Sequence, residues 1–240
     1  TYSHVDGRFH LHASADNYEG TTMSELDFLN WVRGPGFQIA TIVFIGGVII
    51  RMAEILLLGR KKNLAEAKGS EMAGGLQTIA TRSIPDKSTF KRSAFTITAG
   101  YIFPLGLFVT IFLFAPHILL FTDVIGLGWP SIPTPIVDAF AVISIIALLA
   151  ILVHRMRDNV LKFITTKEDY VVWLLTILPL LTGYIAFHRI GMTAPTLLAI
   201  HILTVELLLV AFPFTKRMHA CALVLARGYT GARSGSRGVR

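Results

Sequence analysis

Five long apolar runs constrain this chain more than any other feature: roughly residues 37–58, 94–121, 135–153, 170–187 and 195–214. A bilayer's hydrocarbon core is about 30 Å thick and takes about 20 residues of helix to cross. Each run is long enough, or nearly so, to span it as a helix. Charge supports the same conclusion. Only 15% of the 240 residues are charged, against roughly a quarter in a soluble domain. The chain therefore reads as all-α, a polytopic membrane bundle of five transmembrane helices. That composition excludes a disordered tail, a nucleic-acid-binding domain and most soluble enzymes. The second run is long enough that its ends emerge or tilt, and Pro179 predicts a kink in the fourth.

The basic residues give the direction. All of the 22 Lys and Arg residues except Arg8, Arg33 and Arg189 fall on one side of the five runs. The positive-inside rule then puts the N-terminus outside and the C-terminus in the cytoplasm. Three regions follow: an extracytoplasmic N-terminal segment (1–36), a five-helix membrane domain (37–219) and a basic cytoplasmic tail (220–240). Residues 1–22 lack an apolar run and are not a signal peptide. Their His4, His10 and His12 read as part of a mobile or added tail, with metal binding the alternative. The Gly-, Ser- and Arg-rich stretch 232–240 reads as disordered, with anionic lipid or a partner as its functional contact.

Ionisable residues in or beside membrane spans are costly and mark function by default. Five histidines occupy such places: His117, His154, His188, His201 and His219. By topology His117, His188 and His201 lie on the outer side, and His154 and His219 on the inner side. His201 and His219 are separated by about five turns of helix, which puts both on one face and about 27 Å apart along the axis. One helix offering two imidazoles near opposite leaflets suits axial ligation of two haems in a bundle. Each histidine alone also fits an interfacial position at headgroup depth. The two-layer arrangement of all five favours a cofactor.

Other polar groups carry two readings each. Glu206 either relays protons or is a protonated or paired carboxyl inside the bundle. Arg51 and Glu54 are three residues apart and form a local pair. Asp123 and Arg189 at the outer boundary are quinone-site candidates, with solvated loop charges as the plainer account. Trp31, Trp129 and Trp173 read as interface anchors, and Gly46 and Gly47 as sites of close helix packing. The single cysteine, Cys221, excludes a disulfide framework or an iron–sulfur cluster held by this chain alone. No nucleotide-binding or hydrolase motif occurs, so no catalytic residue is assigned.

Several segments carry a family resemblance. Pro116-His117-Ile118-Leu119-Leu120 is followed by Gly126-Leu127-Gly128-Trp129-Pro130, and Thr182-Gly183-Tyr184 leads to Phe187-His188. Ile200-His201 leads to Phe212-Pro213-Phe214-Thr215-Lys216-Arg217-Met218-His219. In these the chain resembles the cytochrome b membrane subunits of the respiratory nitrate reductase gamma type. It looks closer to relatives in heterodisulfide-reductase-like and sulfite-reduction-associated complexes. The last segment is similar to that family's last-helix signature, Pro-Phe-Ser-Lys-x-x-His.

The resemblance implies a multi-pass subunit of a prokaryotic cytoplasmic membrane, with haem b as cofactor and quinone as substrate. It implies iron–sulfur or molybdenum-containing redox subunits as partners, and no substrate chemistry of its own beyond electron transfer. Carried over by residue, it makes His201 and His117 the outer-haem ligands and His219 an inner-haem ligand. The family's other inner histidine aligns with Pro104, so the inner haem is either absent or held by His219 with a replacement such as His154. His188 is an alternative outer partner for His201. The rival readings are a haem-free membrane anchor, told apart by a colourless protein, and a proton or ion transporter, which lacks inverted repeats here.

Overall fold

A computed structural model describes residues 23–57 and 66–239. His4, His10, His12 and the loop basic residues Arg60, Lys61 and Lys62 lie outside the described residues. The regular structure of the described residues is all helical, with no strand. Five helices are long and apolar enough to cross a membrane: Ser24–Leu57, Lys87–Phe112, Thr134–Arg157, Lys167–Phe187 and Ala194–Phe214.

The first span is built from α1 (Met23–Trp31), a π-helical turn (Val32–Gly36) and α2 (Phe37–Leu57) in unbroken sequence. The widened turn falls where Pro35 removes a backbone donor from the ladder. It therefore starts well before the apolar run at residue 37. Along α2 the only buried residue is Ala40, and Ile42 is 71% exposed. An apolar helix left this open suits lipid on its outer face.

The rest of the bundle is α3 (Glu71–Thr81), α4 (Lys87–Phe112), α5 (Ala115–Ile125), α6 (Thr134–Arg157), α7 (Asn159–Ile164), α8 (Lys167–Phe187), α9 (Ala194–Ala211) and α10 (His219–Ser236). α4 packs on α6, α6 on α8, α8 on α9, and α9 on α1 and α2. The core sits where α4, α6 and α8 meet, around Leu148, Ile177 and Leu180 with Phe103, Leu107 and Trp173 against them. Trp173, read from sequence as an interface anchor, turns inward and donates its indole N–H to the Leu148 carbonyl at 2.9 Å. Of the paired glycines, Gly47 meets the Pro213 ring, so a side chain there would collide, while Gly46 faces open space. Asp86 caps α4 by accepting from the amides of Ser88 and Thr89. Those bonds and the Thr89 and Ser88 hydroxyls hold its carboxyl well below the usual carboxylate range.

Three expectations are corrected. The second apolar run is two helices: α4 ends at Phe112, and α5 begins at Ala115. Pro116 is the cause, because its ring excludes the carbonyl of residue 112 and it has no N–H to offer it. The freed Phe112 carbonyl takes the indole N–H of Trp129 instead.

The face shared by His201 and His219 is lost as well. α9 stops at Ala211, two 3₁₀ turns (Phe212–Phe214 and Lys216–Met218) follow, and His219 opens a new helix. Thr215 between the turns is extended, with φ −113° and ψ 172°, so the periodicity linking the two histidines is broken there.

Finally, residues 232–236 are helical as the end of α10, where sequence predicts disorder. α10 packs tightly along α3 through Gly228, Gly231 and Gly235 against Gly74 and Gly75. Backbones this close leave no room for a side chain at the glycines themselves; a Cβ on Gly75 would already lie 3.1 Å from the Gly228 carbonyl oxygen.

Candidate histidine site

The break after α4 creates the first half of the site. With the helix ended, the Thr110 carbonyl has no amide from Phe114 and accepts instead from Nδ1–H of His117 at 2.6 Å. This fixes the His117 tautomer and leaves Nε2 as the nitrogen with a free lone pair. Phe114 packs edge-on against the ring, with centroids 5.5 Å apart, and Phe187 closes the same wall.

His201, in the second turn of α9, supplies the other half. Its Nδ1 lies 3.3 Å from the Thr182 hydroxyl. That hydroxyl donates to the Leu178 carbonyl at 2.7 Å, so it is placed to accept from the imidazole, and the Pro179 carbonyl is a further hydrogen-bond partner of the ring. Thr204 lies 2.9 Å from the same hydroxyl. Gly183 lets the ring approach α8 this closely, since a Cβ there would be 2.9 Å from Cε1 of His201.

The two rings face each other with centroids 6.2 Å apart and planes 26° from parallel. A metal–imidazole bond is about 2 Å long, so two imidazoles on opposite sides of one metal ion have centroids about 6 Å apart. On both rings Nδ1 lies beside a protein oxygen, as when a neighbouring acceptor orients a histidine side chain. The ring separation is the feature of this pair that matches two imidazoles sharing one metal ion.

The other expected residues are not drawn into this site. His188 caps the end of α8; its Nε2 is 3.6 Å from Asp138 on α6, and its ring packs on Tyr184 at 4.3 Å. His154 packs edge-on against Phe95 at 4.9 Å and lines a groove with Leu149, Val153 and Arg157. His219 is exposed, with Nδ1 against the Lys216 carbonyl. No ring contact joins His154 to His219 among the described residues, and Pro104 lies inside α4, so the structure assembles no second pair. Asp123 and Arg189 are both exposed and form no ion pair with each other among the described residues.

At the other end of the bundle, the segment after α9 is anchored by charge. Lys216 Nζ lies 3.1 Å from Asp169 Oδ1 and 3.0 Å from the Thr166 hydroxyl, and its amide donates to Glu168. Arg217 reaches the Thr176 hydroxyl and the Val172 carbonyl on α8. The Lys-Arg pair thus pins the 3₁₀ turns to the start of α8.

Sequence reasoning did not assign the Thr110 carbonyl, Thr182 or Gly183. Thr182 and Gly183 stand in a segment that carries the resemblance, but only the three-dimensional approach of α8 to α9 gives them a role.

No known family's sequence model matches the chain, and no solved structure matches it. Over 210 residues it is 26% identical to a protein of Nitratidesulfovibrio vulgaris, an alignment covering 84% of this chain and 91% of that one.

Proposed function

We propose that this chain is a b-type cytochrome, the membrane subunit of a respiratory redox complex. It exchanges electrons with the quinone pool through haem and with a partner redox subunit on the cytoplasmic side. One observation supports the reading above the others: the facing imidazoles of His117 and His201, 6.2 Å apart. Haem bound there would supply one-electron transfer. His117 and His201 would hold it, the Thr110 carbonyl and the Thr182 hydroxyl would orient them, and Phe114 and Phe187 would exclude water from that wall.

In this reading the histidine end faces outward and the basic end faces the cytoplasm, as the distribution of Lys and Arg indicates. The chain would hold one haem in this reading, because one imidazole pair is assembled among the described residues. The α3–α10 pair belongs to the cytoplasmic face and offers the partner subunit a surface that includes Arg227 and Arg233. A dithionite-reduced minus oxidised spectrum of the purified protein tests the proposal. The sharp α-band of a low-spin b haem supports it. A colourless protein with an intact helical fold refutes it and favours a haem-free anchor.

A further inference from the structure

Glu206 is 6% exposed, lies in the middle of a membrane-spanning helix, and its Oε1 has no hydrogen-bond partner among the described residues. A buried carboxyl without a partner is expensive, and more so in a bilayer. Five residues beyond His201 on α9, it points about 140° away round the helix and about 7.5 Å further along the axis. It therefore faces the first span and stands clear of the histidine pair.

What it faces is the π-helical turn. Both carboxyl oxygens lie against Gly36, 3.0 and 3.2 Å from where a Cβ would stand, with the Trp31 ring beside them. Gly36 is itself buried. The turn and its glycine together make the space the carboxyl occupies, and π-turns inside helices recur at functional sites.

We propose that Glu206 is an intramembrane proton-binding site coupled to the redox state of the His117–His201 centre. The inference rests on the cytochrome reading above. One quinol O–H bond breaks: its electron is accepted at the centre and its proton forms an O–H bond on the Glu206 carboxylate, leaving a semiquinone that gives up its remaining electron and proton in a second, identical turn. On reoxidation the electron leaves for the partner and the O–H bond breaks, returning the proton to water. Glu206 thereby compensates the added electron inside a low-dielectric bundle.

The neighbouring charged groups leave this role to Glu206. On α1, Glu25 accepts from the Thr193 and Thr196 hydroxyls, and Asp27 is exposed. Arg33 in the turn is exposed. On α2, Arg51 pairs with Glu54 at 2.9 Å near the opposite end. On α8, His188 lies beside Asp138 and Asp169 beside Lys216; Glu168 is at that same far end. On α9, His201 faces the other way, toward α8.

The test uses the full chain in detergent, wild type against Glu206→Gln, in two measurements. The redox-induced infrared difference spectrum of the wild type is expected to gain a protonated-carboxyl C=O band on reduction. That band is absent from Glu206→Gln, whose haem spectrum is unchanged. The haem midpoint potential is expected to fall with rising pH in the wild type, by up to 59 mV per unit for one proton per electron, and to flatten in the variant. Gly36→Ala, which crowds the carboxyl without removing it, shifts the band. A band or pH slope that persists unchanged in Glu206→Gln overturns this proposal and leaves the cytochrome reading intact. Absence of haem from the wild type overturns both.

Discussion

Gly183 of α8 lies directly against the imidazole of His201 on α9, so close that a Cβ at 183 would stand 2.9 Å from Cε1 and 3.2 Å from Nδ1 of the ring. The position of the second imidazole therefore depends on the absence of a side chain at 183, and Gly183→Val should displace it. Overpacking of this kind costs about 1–3 kcal/mol in a core, and here the ring moves more readily than the helices. The expected outcome is a protein that still inserts and stays helical but carries several-fold less haem per chain, measured by pyridine haemochrome assay.

Thr182 tests orientation separately from space. Its hydroxyl is the acceptor near His201 Nδ1 and sits 2.9 Å from Thr204. Thr182→Val keeps the shape and removes the acceptor. Loss of such an orienting partner typically weakens metal affinity about 10- to 100-fold. Haem should be lost faster to a competing apo-protein in the variant, while Thr182→Ser, which keeps the hydroxyl, should behave as the wild type.

Asp169 carries more of the far end of the bundle than Lys216 does. Its carboxylate completes the capping box with Thr166 and pairs with Lys216 and, at 3.7 Å, with Arg155. Loss of a cap costs about 1 kcal/mol, whereas an exposed ion pair contributes at most about 1 kcal/mol and often nothing. Asp169→Ala should therefore lower the thermal midpoint in detergent clearly more than Lys216→Ala does.

The seam between α3 and α10 depends on bare backbone. Gly231 approaches the Gly74 carbonyl and Thr78 so closely that any side chain collides. Gly231→Val should release α10 from α3 while the membrane bundle stays folded. Limited trypsin digestion should then cut at Arg227 and Arg233 much faster than in the wild type.

These sites differ in how far the sequence reveals them. The five spans are legible because apolar runs of bilayer length leave a chain few alternatives. His117 and His201 are legible as candidates because imidazoles are rare in such runs, and the fold does bring them together. The relation between His201 and His219 is not, because helical periodicity holds only while the helix continues, and the Phe-Pro-Phe-Thr segment ends it. Likewise the break before His117 is signalled by Pro116, whose effect falls four residues earlier, inside an apparently continuous apolar run. The glycines of α10 read as disorder on their own; only Gly74 and Gly75 on a distant helix make them a packing surface. Glu206 is visible as a buried charge candidate, but the glycine that accommodates it belongs to another span.

The most direct test of the central claim is haem stoichiometry in single histidine variants, read as haem per chain by the pyridine haemochrome assay. The His117–His201 site predicts about one haem per chain in the wild type, about one in His219→Ala and His154→Ala, and none in His201→Ala or His117→Ala. Two haems in the wild type, or undiminished haem in His201→Ala with its fold intact, would contradict it.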